Sequence, residues 1–211
     1  MTHIYIARHG ETIWNVEGRI QGRSDPDLSP KGYAQSLGLL DQLKGRSLSA
    51  IYTSTLKRSF LTAEPVANHF GLPIQRQPEL DEIAFGLLEG QLLFEFDETL
   101  KNEWERFRDQ RFTYHIPGGE NYTDVANRIR PFMERTLQNH EGQEVLIVGH
   151  RVVNRLLIGM LLEYPLEWVL NIEQTNDCIY LIQKNDGARV FHYINGKVRE
   201  GILTVGEEVT L

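Results

Sequence analysis

Two kinds of apolar pattern alternate along the chain. Compact apolar runs with β-branched or aromatic residues at 4–7, 48–53 and 145–148 read as strands, and residues 73–77 as a further short one. Between them, apolar positions recur at helical spacing. Ser29-Pro30 supplies an N-cap and a first-turn proline for a helix running to about Lys44, where Gly45 stops it. Ala34, Leu37, Leu40 and Leu43 give that helix one face to lay on a sheet. Ser54 caps a second helix holding Leu56, Arg58, Phe60, Leu61 and Ala63, in which Pro65 should produce a kink or displace the early turns. A third, more apolar helix covers residues 152–162. Residues 178–183 and 189–194, joined by Lys184-Asn185-Asp186-Gly187-Ala188, predict a hairpin, and the last dozen residues read as a tail or an edge element. Strands alternating with helices predict an α/β fold, a three-layer α/β/α sandwich on a mostly parallel central sheet.

Three stretches interrupt this rhythm. Residues 10–28 read as a loop, and a loop that long in a compact domain is usually functional. Residues 80–90 are irregular and glycine-punctuated, and they carry the carboxylates Asp81, Glu82 and Glu89. Residues 92–139 look helical, broken at His115-Ile116-Pro117-Gly118-Gly119, with a new helix starting around Glu120 to Thr123 that bears Val125, Ile129, Phe132, Met133 and Leu137. This section has no strand signal. It reads as a helical insertion beside or over the active edge of the sheet, within one domain covering residues 1–211.

Composition narrows the class. A chain of 211 residues suits one α/β domain with a real core, and 41% hydrophobic with 24% charged residues is ordinary for a soluble protein. The formal charge of -7 argues against nucleic acid or an anionic membrane as partner, so any anion site must be a local basic pocket. Cys178 is the single cysteine, which excludes an internal disulfide, and its apolar neighbours favour a core thiol over a nucleophile. The chain enters a strand at once, without a signal-peptide pattern, and no apolar run reaches bilayer length. A cytoplasmic protein is the expectation.

The chemistry gathers where strands end. The first strand stops at Arg8-His9-Gly10, and the strand at 145–148 stops at Gly149-His150-Arg151. Neighbouring parallel strands end on one edge, where open α/β sheets bind ligands, so the two imidazoles can meet there with Arg8 and Arg58 nearby. Such a group would repel itself unless a dianion lay between its members. Phosphate is the natural occupant, because the arginine fork matches its oxygens and histidine can donate to them. A neutral imidazole nitrogen can also serve as a nucleophile.

Arg8-His9-Gly10-Glu11-Thr12, Asn15 and Gly18-Arg19-Ile20-Gln21-Gly22 closely resemble the first motif of the histidine phosphatase superfamily, in its phosphoglycerate-mutase-like branch. Ser54-Thr55-Leu56-Lys57-Arg58 with Thr62-Ala63 resembles its second motif. Leu80-Asp81-Glu82 with Gly86 and Glu89-Gly90 resembles its acid-bearing loop, and Gly149-His150 its last motif. The motifs follow the family's order over residues 3–160 or so. Gly149, Arg151 and Leu88 depart from the commonest residues there, which blurs the subfamily without removing a catalytic group.

The resemblance implies a phosphomonoesterase acting on a small phosphorylated metabolite, with neither metal nor other cofactor. His9 would attack phosphorus; Arg8, Arg58 and His150 would bind the phosphoryl oxygens; Glu82 would protonate the leaving oxygen and then deprotonate water. Asn15 and the Gln21-Gly22 backbone would line the phosphate end of the pocket. A short chain and the form of the Gly18–Gly22 segment favour phosphatase over the second reading, a phosphoglycerate mutase. A third reading is a non-catalytic phospho-ligand binder, against which stand His9 and Glu82.

Blander readings stand beside these. Glu82 could be a solvated loop carboxylate, Arg58 a surface arginine, and His9, His150 and Glu82 together a zinc or iron site. His3, His69, His140 and His192 match no motif and read as surface or structural, and His115 as a loop histidine. The basic, aromatic stretch with Trp104, Arg106, Arg108, Arg111, Tyr114 and His115 offers recognition of a carboxylate or a ring beyond the phosphate, as in phosphoserine, phosphoglycerate, a sugar phosphate or a nucleoside phosphate. The hairpin's outer strand offers an edge for a second subunit, so a homodimer is one expected state.

Overall fold

A computed structural model of the protein describes residues 1–194 and 196–205. Its centre is a seven-stranded mixed sheet in the order β3-β2-β4-β1-β5-β6-β7. The strands are β1 (Thr2–Arg8), β2 (Leu48–Thr53), β3 (Ile74–Arg76), β4 (Glu144–Gly149), β5 (Ile179–Lys184), β6 (Ala188–Ile194) and β7 (Lys197–Glu200). The half made of β3, β2, β4 and β1 is parallel, and β5, β6 and β7 continue it antiparallel. The expected hairpin is β5–β6. An edge strand, β7, comes just before the last dozen residues, in which Thr204 forms an isolated bridge with Ile172; residues 206–211 of the expected tail lie outside the described residues.

Strand alternation sorts the core into two layers. Ile4 and Ile6 of β1 face one way with Val145, Ile147, Tyr180 and Ile182, and Tyr5 and Ala7 face the other with Leu146, Val148, Ile179 and Leu181. The first face is covered by α5 (Tyr122–Asn139) and α6 (Arg151–Leu161), through Val125, Ile129, Phe132, Val153 and Leu156. The second is covered by α2 (Pro30–Leu43) and α3 (Lys57–Phe70), through Leu39, Leu43, Ala63 and Val66. Cys178 is buried in the first layer, as its apolar neighbours suggest.

Several local expectations change. The loop at 10–28 contains a short helix, α1 (Ile13–Glu17), closed at its start by a capping box between Thr12 and Asn15. Ser29 does cap α2, accepting a hydrogen bond from the Gly32 N–H at 3.1 Å. The buried face of α2, however, is Gly32, Ser36, Leu39 and Leu43, while Leu37 is exposed and Ala34 lies outside the core. Backbone contact is the cause: a Cβ on Gly10 would lie 2.5 Å from the Gly32 oxygen, and one on Gly32 would lie 2.0 Å from the Glu11 oxygen. Two glycines let α2 close onto the end of β1, and that approach sets its rotation. α3 begins later than the motif suggests, at Lys57, and Ser54 is not its cap. The helix carries Pro65 within its span. α4 (Glu98–Asp109) and a 3₁₀ turn at Leu93–Glu95 precede α5, whose cap is Asn121.

Candidate active site

β1 and β4 are parallel neighbours with Arg8 opposite Gly149, so the residues that follow them arrive together. The His9 N–H still donates to the Gly149 carbonyl at 3.0 Å, and the His9 and His150 ring centroids are 5.1 Å apart. Three side chains from elsewhere fix this strand end. The Thr62 hydroxyl accepts from the Gly10 N–H at 2.9 Å, Asn154 donates to the Ala7 carbonyl at 3.0 Å, and Asn176 donates to the His9 carbonyl at 2.6 Å. His9 is 3% exposed. Its Nδ1 lies 2.8 Å from the Gly10 carbonyl, an acceptor, so Nδ1 carries the proton and the Nε2 lone pair is free.

His150 is fully buried, and Ser54 Oγ lies 2.7 Å from its Nε2. Ser54 thus meets the second histidine instead of capping a helix. Arg58, in the first turn of α3, is buried rather than at the surface, and its guanidinium donates to the Ser24 carbonyl at 2.6 Å and the Gly22 carbonyl at 2.7 Å. Gly22 has φ 53°, and Glu89 braces that turn by accepting from the Arg23 and Ser24 N–H groups at 3.0 Å. Arg8 donates to the Gln174 carbonyl at 3.3 Å. Glu82, 7% exposed, is no solvated loop carboxylate: Oε1 accepts from the Ile83 N–H at 3.0 Å and Oε2 from the Val152 N–H at 3.4 Å, at the start of α6.

The polar atoms left over are informative. Arg8 Nε, Arg58 Nε and His150 Nδ1 are buried without a hydrogen-bond partner in the protein, as is Gln21 Oε1. Buried donors without partners cost stability, and donors of this kind gathered at one strand edge suit an anion. Rotating the Gln21 amide would turn a donor to the same place. Asn15 Oδ1 is committed to the Thr12 cap, which leaves its amide nitrogen as the group able to meet a ligand. Among the described residues no group of three His, Cys, Asp or Glu is arranged to hold a metal ion.

Sequence reasoning missed Asn176, Asn154, Gln174, Arg128 and Glu120, which stand in no motif and act on the site only through the fold. The basic, aromatic stretch is engaged with itself. Arg106 lies over the Tyr114 ring at 4.2 Å, Tyr114 donates to Glu103 at 2.6 Å, and His115 pairs with Asp124 at 2.6 Å. His3 pairs with Glu144 and His140 with Tyr52, as structural histidines do.

Electrostatics follow from burial. Burial, then the Arg58 and Arg8 charges, hold the His9 imidazole well below its usual range. Burial, then Arg58, His9 and Arg8, do the same to His150. Burial, then Arg151, bring Arg8 down to about 10, which leaves it a cation at neutral pH. Both histidines are therefore neutral in the fold, while an unfolded chain takes up protons at histidine near pH ~6.5. Stability from this source is complete above that pH and is lost as pH falls below it, because the unfolded chain then binds protons that the folded one does not. The melting temperature should decline from pH 7 to 5. A His9→Ala protein with the full wild-type slope would contradict this.

Known proteins are similar to this chain in sequence and in fold. The profile described as histidine phosphatase superfamily (branch 1) matches residues 4–197. The chain is 35% identical over 162 residues to phosphoserine phosphatase 1 of Hydrogenobacter thermophilus, an alignment covering 77% of each. It is 34% identical over 169 residues to the "Probable phosphoglycerate mutase GpmB" of Cronobacter sakazakii, covering 78% of this chain and 77% of that one. Among solved structures, Bacillus stearothermophilus YhfR superposes with a TM-score of 0.82 at 32% identity, covering 94% of this chain and 98% of the other. The α-ribazole phosphatase of Shigella flexneri gives 0.80 at 26% identity, covering 96% of each.

Proposed function

This chain belongs to branch 1 of the histidine phosphatase superfamily, and from that premise we propose that it hydrolyses a small phosphorylated metabolite through a phosphohistidine at His9. One observation carries the reading: a free imidazole nitrogen on His9 beside two buried, unpartnered guanidinium N–H groups, on Arg8 and Arg58, and the buried, unpartnered Nδ1 of His150. The likeness to phosphoserine phosphatase 1 supports the same reaction class.

In this scheme the His9 Nε2 lone pair forms a bond to phosphorus as the ester P–O bond breaks. The leaving oxygen takes its proton from Glu82, which becomes a carboxylate. Water then attacks the phosphohistidine, its proton passes to Glu82, and orthophosphate departs with the imidazole restored. Arg8, Arg58 and His150 hold the equatorial oxygens, where charge is stabilised by donors already in place. Gly22 and Arg58 act as one piece: the guanidinium is fixed by the turn's carbonyls, and the turn by the guanidinium. Asn15 and Gln21 complete the phosphate end.

The mutase reading persists for a specific reason, a mutase-named relative at nearly the same identity as the phosphatase-named one. Phosphate release from p-nitrophenyl phosphate in excess EDTA separates the cases. Turnover that survives chelation is expected. Its absence, together with conversion of 3- to 2-phosphoglycerate, would establish the mutase instead. A panel of carboxylated and neutral phosphomonoesters then tests recognition beyond the phosphate. Carboxylated esters that gain nothing over neutral ones would remove the phosphorylated acids from consideration.

A further inference from the structure

We propose that Arg128 positions Glu82 for proton transfer, by means of a bracket that it forms with Glu120. This rests on the reading of Glu82 as the acid. The segment from Glu82 to Ala84 belongs to no helix or strand, so no backbone ladder fixes where its carboxyl group points. One guanidinium replaces the ladder. Arg128, on α5, donates to the carbonyls of Glu79 and Asp81 and, at 3.3 Å, to that of Glu82 itself. Its Nε and Nη2 hold the Glu120 carboxylate at 3.0 and 3.2 Å. Glu120 in turn accepts from the Ala84 N–H at 3.0 Å, and its own N–H donates to the Ala84 carbonyl at 2.9 Å. The peptide is thus gripped on both sides of Glu82. Arg23, from the turn that holds Arg58, also donates to Glu120 at 3.0 Å, which ties the acid segment to the phosphate end.

Charge alone cannot do this. Three carbonyls and a carboxylate are served at once because the guanidinium is a planar fork with five N–H groups, whereas lysine offers one nitrogen. A general acid must lie within hydrogen-bond reach of the oxygen it protonates, and a misplacement of about 1 Å can cost about 100-fold. Arg128 touches no substrate in this account; it acts through Glu82.

Leaving-group dependence provides the test. p-Nitrophenolate departs without a proton, whereas the alkoxide of glycerol 2-phosphate needs one. kcat/KM reports the step in which the ester bond breaks. Glu82→Gln is the reference and should lose about 100-fold in kcat/KM on glycerol 2-phosphate while changing far less on p-nitrophenyl phosphate. Arg128→Lys and Arg128→Met should follow that pattern, losing about 30-fold on the alkyl ester and less than about threefold on the aryl ester. Arg135→Met is the control. Arg135 lies further along α5 and pairs with the Glu79 carboxylate at 2.8 Å, and its loss should leave both substrates as in the wild type. Should the Arg128→Met protein fail to fold, Arg128→Lys and Glu120→Gln carry the same expectation. An equal loss on both substrates in the Arg128 variants, or the same selectivity in Arg135→Met, would overturn the bracket. A Glu82→Gln protein without leaving-group dependence would overturn the acid assignment, and the bracket with it. That outcome is distinguishable, because it appears in the reference variant.

Discussion

Replacing His9 with alanine should abolish turnover, lowering kcat on p-nitrophenyl phosphate by about 10,000-fold or more, the scale seen when a nucleophile is removed. The expectation follows from how His9 is held. Its Nδ1 faces the Gly10 carbonyl and its backbone is pinned by Gly149, Asn176 and, one residue on, Thr62. Those backbone contacts survive the substitution, so the loss should come from chemistry rather than from collapse of the strand end. Its stability cost should be ordinary for a large-to-small change, about 1–3 kcal/mol. Two measurements are needed. Acid-labile, alkali-stable phosphate should accumulate on the wild-type protein during turnover and be missing from His9→Ala. Melting curves should show the variant folded. A folded variant that keeps more than a few per cent of the rate would move the nucleophile elsewhere, with His150 the first place to look.

The pairing of His9 with His150 was legible in the sequence because it depends on little. Two apolar runs end in the same polar way, and parallel strands must end on one edge, so only the adjacency of β1 and β4 was left for the fold to supply. Arg58 was legible from its place early in the helix that follows a strand's carboxyl end, and the motif resemblance added Glu82. What escaped reading depends on approach between distant segments. Leu37 on α2 matches helical spacing better than Ser36 does, yet Leu37 is exposed and Ser36 buried. The helix rotates to bring Gly32 against Gly10 and Glu11, and hydrophobic spacing carries no information about that contact. Ser54 has the residue type of a cap but meets His150, since β2 ends at Thr53 while the helix starts only at Lys57, with Leu56 in the cap position. Asn176 is a single polar residue in an unpatterned stretch and Arg128 one of many polar positions on a patterned helix, and the importance of each lies in which groups the fold lets it reach. The antiparallel half of the sheet was legible only as far as the β5–β6 hairpin. β7, short and exposed throughout, gives no apolar alternation to read.

Arg58→Met should be the most damaging change after loss of the nucleophile, lowering kcat/KM on p-nitrophenyl phosphate by about 1,000-fold, or about 4 kcal/mol of transition-state stabilisation. Two effects combine. The substitution removes a cation from a site that must hold a phosphoryl group with charge spread over its oxygens. It also takes both donors from the carbonyls of Gly22 and Ser24, whose turn lines the same pocket. Methionine preserves much of the buried volume, so the cost in stability should come chiefly from those carbonyls, at about 1–3 kcal/mol for each left unpaired. Arg58→Lys separates the two effects. Lysine keeps the charge, but it cannot reach both carbonyls while presenting a further N–H, as the fork does with the unpartnered Arg58 Nε. It should therefore recover only about a tenth of the lost rate, and orthovanadate should bind it more weakly than it binds the wild type. Full recovery by lysine would mean that position 58 supplies charge alone. The geometry argues otherwise, because a side chain buried to 1% exposure is held by two carbonyls of the turn that it is meant to order, and a point charge has no means of ordering them.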